Sequence, residues 1–216
     1  MKLSKDTVAI LKNFATINPG IVLNPGNEIR TITSSKNMLA QAQIEETFDT
    51  KAGIFDISRF LATLSLFDDP DIEFGKDRFI VRSGRQRLSY TYTPESMIVT
   101  PGNLPGKVPS PDGTFLVSWA DIESAIRSAG VLSLPEIAFQ SDGEDVTMAS
   151  VDTKNPTADT FSVTIAEGVN LPTFRRTVGI DFFKLLPRDY KITTSQNVIS
   201  FESDTVQYWV TTSQAK

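Results

Sequence analysis

The sequence predicts an α+β chain of two similar domains, each an antiparallel sheet with two helices on one face. Three observations carry that expectation. A short amphipathic helix pattern starts at Ser4, Asp56, Ser118 and about Ile180, so it recurs roughly every 50 to 60 residues, the mark of a repeated supersecondary unit. After each occurrence come short runs of β-branched and aromatic residues separated by turn residues, which read as a meander of strands packed on the helices. Between Thr93 and Gly113 the composition shifts: five of the twelve prolines and three of the twelve glycines fall there, as in an extended connector. The expected division is therefore an N-terminal domain at 1–95, a connector at 96–112 and a C-terminal domain at 113–216.

Taken in order, the first helix is expected from Ser4 to Ile17. Ser4 can accept from an unpaired N–H of the first turn, Asp6 suits the positive helix end, and Asn18-Pro19-Gly20 stops it. Val8, Leu11, Phe14 and Ala15 make its buried stripe, and Lys5, Ala9, Lys12 and Thr16 its opposite face. Strands follow from Ile21 to Phe48, punctuated at Asn24 to Asn27 and Ser34 to Asn37. The second helix spans Asp56 to Phe67, with Asp56 as cap and Asp68-Asp69-Pro70 as stop. Ile57, Phe60, Leu61 and Leu64 form its stripe, leaving Arg59 with the small Ala62 and Thr63 outside.

Strands at Asp71–Phe74, Arg78–Arg82 and Arg87–Tyr92 complete the first domain. Beyond the connector, a strand at Thr114–Val117 leads into a third helix from Ser118 to Gly130, with Ser118 and Asp121 spaced as a capping box and Gly130 as the terminating residue. Trp119, Ile122, Ala125, Ile126 and Ala129 are its expected buried stripe, and Arg127 lies opposite with Ala120 and Ser124. Strands are expected at Val131–Phe139, Asp145–Val151 and Thr160–Ala166. A fourth, short helix is expected over Ile180–Leu186, ended by Pro187, with Lys184 on it and Arg188 just beyond. Tyr190–Thr194, Asn197–Glu202 and Thr205–Thr211 close the chain as strands.

Composition removes many functions. The 216 residues are 40% hydrophobic with a formal charge of −5, and they include neither cysteine nor histidine. Disulfides, thiolate nucleophiles, cysteine zinc sites and histidine-based acid–base chemistry are thereby excluded. No apolar run approaches membrane-spanning length and no secretory leader precedes the first helix, so a cytosolic chain with no membrane partner is expected. The negative charge confines any DNA-binding surface to one face.

Two motif readings fail on inspection. The acidic run Asp68 to Glu73 has Phe74 where a calcium loop needs glycine and Ile80 where it needs glutamate. Gly102 to Lys107 is one residue short of a phosphate loop and lacks the hydroxyl residue after lysine. No metal, no cofactor and no enzymatic activity are expected.

Two stretches carry a family resemblance. Met1-Lys-Leu-Ser-Lys-Asp-Thr, with Leu11-Lys-Asn-Phe-Ala-Thr-Ile-Asn18, resembles the N-terminus of the DNA polymerase sliding clamps of T-even-type bacteriophages. Ile54-Phe-Asp-Ile-Ser-Arg-Phe-Leu-Ala-Thr-Leu-Ser-Leu66 resembles their second helix. A weaker match runs from Phe182 through Tyr190-Lys191 to Tyr208-Trp-Val210. The resemblance implies a closed ring of six clamp domains from three chains around duplex DNA, with helices lining the hole. It also implies a DNA polymerase partner tethered for processive synthesis, an ATP-dependent clamp loader, a part in late viral transcription, and action in the cytoplasm of an infected bacterial host. A viral structural or assembly protein of duplicated α+β domains is the alternative.

By themselves, lysines and arginines on helix faces opposite an apolar stripe mark solvated surface. With the resemblance, Lys5, Lys12, Arg59, Arg127, Lys184 and Arg188 become the expected DNA-facing set, giving weak, sequence-blind contacts to phosphates. The turn Arg82-Ser-Gly-Arg-Gln-Arg87 reads as a solvated hairpin tip, with a DNA-contacting loop at the rim as the alternative. Leu104 and Val108, apolar within the connector, and the closing Tyr208, Trp209 and Val210 suggest a groove for a partner's peptide tail. Val198 and Met38 are added to that groove by analogy with the family.

Overall fold

The computed structural model describes residues 1–102 and 108–213, in two compact units, Met1–Leu104 and Pro105–Lys216. Unit 1 runs α1 (Lys5–Ile17), β1 (Ile21–Leu23), β2 (Gly26–Ile32), β3 (Met38–Phe48), β4 (Ala52–Ile54), α2 (Ile57–Leu64), β5 (Asp71–Phe74), β6 (Arg78–Ser83), β7 (Gln86–Thr91) and a 3₁₀ turn at Glu95–Met97. Unit 2 runs β8 (Pro111–Val117), α3 (Trp119–Leu132), β9 (Glu136–Ser141), β10 (Val146–Val151), β11 (Phe161–Ala166), β12 (Phe174–Gly179), a 3₁₀ turn at Ile180–Phe182, β13 (Tyr190–Ser195), β14 (Val198–Glu202) and β15 (Val206–Thr211). Within each unit the strand pairs are antiparallel. The α+β class expected from the pattern is what forms.

The pairing repeats between units. In unit 1, β1 pairs with β4, β2 with β3, and β5-β6-β7 form a meander. In unit 2, β9 pairs with β12, β10 with β11, and β13-β14-β15 form the meander. Each unit is therefore one helix, four strands, a helix position and three strands. β8 pairs with β13, joining Tyr190 to Val117. Its counterpart in unit 1 is a single residue: Ile72 donates its N–H to the Met1 carbonyl at 2.8 Å, and the Met1 amino group donates to the Ile72 carbonyl.

The helices start where local chemistry directs them. The Ser4, Asp56 and Ser118 side chains accept from the N–H of Thr7, Arg59 and Asp121 respectively, which satisfies donors that no turn of helix can reach. Glu46, reaching from β3, adds a bond to the Thr7 hydroxyl at 2.5 Å and another to the Ser4 N–H, tying the start of α1 to the sheet.

The helix ends depart from expectation. α2 stops at Leu64, with Leu66 and Phe67 wound in tighter i→i−3 turns, and Asp69 at φ 51 reverses the chain into β5. α3 continues through Gly130 to Leu132, so Val131 and Leu132 are helical rather than the start of a strand. Ser133 takes the left-handed conformation at φ 54, and the Leu134 N–H donates to the Ala129 carbonyl at 2.8 Å. Buried Leu134 supplies the apolar contact that accompanies such a terminus.

The fourth helix is absent beyond a single 3₁₀ turn. Leu186 shows why: its N–H donates to the Tyr208 hydroxyl at 3.2 Å and its carbonyl accepts from the Tyr190 hydroxyl at 2.7 Å. Two buried tyrosines hold the backbone groups that a helix would need. Burial raises both phenols far above the ordinary tyrosine range, so they stay neutral and able to donate. Two strands were not expected, β4 and β12. Ala52, Gly53 and Ile54 in β4 are all buried, and β12 holds Arg176 to Asp112 by two bonds of 2.8 Å.

Unit 1 packs around Phe14, Phe48, Phe60 and Phe79, with Phe60 edge-on to Phe79 at 5.0 Å and Phe79 stacked on Tyr90 at 4.7 Å. Phe139, Phe201 and Tyr190 centre unit 2, with Phe183 edge-on to Phe201 at 5.8 Å. The segment leaving β7 crosses β4 closely: the Thr93 N–H donates to the Gly53 carbonyl at 2.9 Å, and a Cβ on Gly53 would lie 2.1 Å from the Thr93 carbonyl oxygen. Only glycine fits there.

Candidate nucleic-acid interface

The α1 stripe settles slightly round from the expected one. Thr7, Ile10, Leu11, Phe14 and Ile17 are buried, while Val8 and Ala15 lie at its margin. Lys5, Lys12 and Thr16 stand exposed on the opposite side, with Ala9 beside them. On α2, Ile57, Phe60 and Leu64 are buried and Leu61 is half-buried, so Ser58, Arg59 and Ala62 form the outer face. Lys5, Lys12 and Arg59 make no ion pair among the described residues.

Between α1 and α2 lies a groove with a volume of about 630 Å³. Leu3, Val8, Leu61, Phe67 and Ile72 line its floor, and Lys2 and Lys12 its rim. Lys2 is paired with Asp69, and the Met1 amino group sits 2.6 Å from Asp71, holding that carboxyl below its usual range. The acidic run is thus engaged by the chain's own cations. The groove was not expected from the pattern, since Val8 and Leu61 fit the buried stripes; their marginal position shows only once the two helices lie together.

α3 presents a different face. Ile122, Ala125 and Ala129 are buried, whereas Trp119 and Ile126 of the expected stripe are only half-buried. On the outer side, Arg127 is 71% exposed and bridges Glu123 one turn earlier at 3.3 Å. Val131, 78% exposed, lies along the same face.

Lys184 and Arg188 do not stand on a helix face, because no helix forms there; both are half-buried and interact with neighbours. Arg188 lies in a hollow of about 880 Å³ with Asp189, Lys191, Glu202 and Asp204.

The turn between β6 and β7 is exposed as expected. Arg82 pairs with Glu73 at 3.1 Å, and Gly84 takes φ +55.

The expected peptide groove is corrected in part. Tyr208 and Val210 are fully buried and Trp209 is 6% exposed, so these three residues serve mainly as interior packing. Their apolar run without polar alternation marks a strand buried on both faces. Met38 is buried as well. Val108 and Val198 are half-exposed, and Leu104 lies outside the described residues. Sequence reasoning missed several exposed apolar residues of unit 1, among them Phe55, Leu66, Met97 and Val99. Single apolar residues beside turns leave no periodic signal. Among the described residues no group of acidic side chains is gathered to hold a metal, and no helix is long and apolar enough to cross a membrane.

Charge divides unevenly between the units. Residues 1–104 carry twelve basic and twelve acidic side chains, and residues 105–216 nine and fourteen. The whole net charge of −5 belongs to unit 2.

Comparison with known proteins follows the same lines. A family model for the DNA polymerase processivity factor matches residues 4–99. The sliding clamp of Escherichia phage RB69 is 31% identical over 217 residues, covering 96% of this chain and 95% of that protein. The sliding clamp of Vibrio phage KVP40 is 27% identical over 222 residues, covering 98% and 99%. Among solved structures, A. fulgidus PCNA bound to the C-terminal region of FEN-1 superposes with a TM-score of 0.74 over 100% of this chain and 98% of that one, at 13% identity. At that identity the likeness speaks for the fold.

Proposed function

The chain belongs to the sliding clamps of T4-like bacteriophages, processivity factors rather than enzymes, and on that premise we propose how it works. Three chains close a ring around duplex DNA. The ring tethers the DNA polymerase, so that the enzyme stays on its template between catalytic steps. Kinship to the RB69 sliding clamp across 96% of the chain is the observation that carries this reading. The site of action is the cytoplasm of the infected bacterial host, and an ATP-dependent loader opens the ring, as the family membership implies.

The DNA-facing surface is the outer side of the helices. Short, small residues such as Ala9 and Ala62 keep that side flat, and the cations attract phosphate without reading bases. Ring closure needs two unlike surfaces per chain that fit each other head to tail. Among the described residues β7 pairs only with β6, and β11 only with β10. Each therefore offers an unpaired row of backbone groups, the feature by which strand edges join. β7 of one protomer against β11 of the next satisfies both.

The test is a solution mass together with retention on DNA. A mass of about 71 kDa, three times 23.8 kDa, is expected for the closed ring. Rings loaded on nicked circular duplex should persist and should run off once the circle is linearised. A monomer that leaves polymerase processivity unchanged would sink the reading.

A further inference from the structure

We infer that the duplex is held by unit 1 of each protomer alone, at three cationic stations around the ring instead of six. This inference rests on the clamp reading above. On α1, Lys5 and Lys12 stand on one exposed face with Thr16, and on α2 Arg59 stands beside Ala62; none has an ion-pair partner among the described residues. The one acidic group at the start of α2, Asp56, spends its carboxylate on the Arg59 backbone N–H.

Unit 2 offers no equivalent. Its single α-helix sets Glu123 on Arg127, and Asp121 accompanies them in the first turn, so its outer side carries no free cation. The position of a second helix is occupied by a 3₁₀ turn; Arg188 and Lys191 lie among Asp189, Glu202 and Asp204, with Lys191 paired to Glu202. Counting formal charges gives unit 1 a neutral balance and unit 2 an excess of five acids. At about 0.15 M salt charges are screened beyond roughly 8 Å. On its own balance the α1–α2 face therefore attracts phosphate, while the five excess acids of unit 2 make that unit indifferent to it. Three separated weak stations suit a ring that must slide, because each contact is made and broken without fixing a register.

Two sets of variants decide it, read on the loader-assembled ring. A photo-crosslinking residue replaces Ala62 on α2 or Ala120 on α3, both small and exposed, so the fold is little disturbed. On nicked circular duplex, strong crosslinking from position 62 and background crosslinking from position 120 is the expected result. In parallel, the double variant Lys12→Glu with Arg59→Glu should lower the log–log salt slope of DNA association by about one or more, and Arg127→Glu should leave it unchanged. Equal crosslinking from the two positions, or an Arg127→Glu effect matching the double variant, overturns the inference while the clamp reading stands. A wild-type trimer that is not retained on circular duplex overturns the clamp reading, and the inference with it.

Discussion

Units 1 and 2 repeat one pairing scheme, yet they fill its second helix position in opposite ways. In unit 1 the position holds α2, capped by Asp56 and anchored by Phe60 against Phe79. In unit 2 it holds one 3₁₀ turn, followed by a stretch whose backbone is bonded to Tyr190 and Tyr208. The edge preceding the first helix differs too, a seven-residue strand β8 in unit 2 and the single residue Met1 in unit 1. What the comparison teaches is that the sheet framework is the conserved physical object of the repeat. A helix on it survives only where its own cap and its buried face are both stronger than competing bonds from the sheet.

The largest effect should come from breaking the buried face in unit 1. Phe60→Ala removes a fully buried ring from α2 and should cost about 3 to 5 kcal/mol. Urea unfolding read by intrinsic fluorescence would check it; a loss under about 1 kcal/mol would show that the Phe60–Phe79 contact is not what holds α2. Next, Tyr208→Phe leaves the buried Leu186 N–H without its acceptor, which should lower stability by about 1 to 3 kcal/mol. The same variant sharpens the comparison, because freeing Leu186 should raise the helical signal if tertiary bonds are what suppress the fourth helix. Circular dichroism near 222 nm would register that gain, and unchanged helicity with full loss of stability would assign the suppression to local sequence instead.

Smaller effects distinguish the caps. Ser4→Ala, Asp56→Ala and Ser118→Ala should each cost about 1 kcal/mol, whereas Asp181→Ala, in a turn without a side-chain cap, should fall within about 0.5 kcal/mol of the parent. Thermal melts of the four variants side by side would order them. The smallest effect belongs to Arg127→Ala. Its pair with Glu123 is exposed and spans one helical turn, so stability should change by about 0.3 to 0.5 kcal/mol and less at high salt. A loss well above 1 kcal/mol would mean that Arg127 packs on something other than Glu123.

Much of this was legible beforehand, and the pattern of misses is physical. Ser4, Asp56 and Ser118 were readable as caps because an N-cap bond joins residues three apart and depends on nothing distant. The strands of the two meanders were readable because alternation and turn residues are equally local. Helix ends were not: Gly130 is an available terminator, but Ser133 ends α3 because Leu134 finds a buried site there. β12 was missed because its two adjacent arginines hide its alternation, and Arg176 finds its carboxylate partner in Asp112, 64 residues away. The candidate site divides the same way. The exposed helix faces of Lys5, Lys12 and Arg59 were readable from helical period, and an expected DNA-facing role for them came only with the family resemblance; the Arg127–Glu123 pair spans one turn of α3, whereas the loss of a helix under Lys184 depends on distant neighbours.

The sequence by itself determined the duplicated α+β plan, where each helix begins, the cations on the outer sides of α1 and α2, and the absence of histidine and cysteine chemistry. All of these depend on composition or on residues within a turn of one another. The tertiary structure decided whether the fourth repeat becomes a helix, that the closing Tyr208-Trp209-Val210 run is interior, and that Arg176 is held by Asp112. Those outcomes depend on competition for a buried backbone N–H, carbonyl or carboxylate between groups far apart in the chain. Such a competition has no winner until the sheets have brought the competitors together.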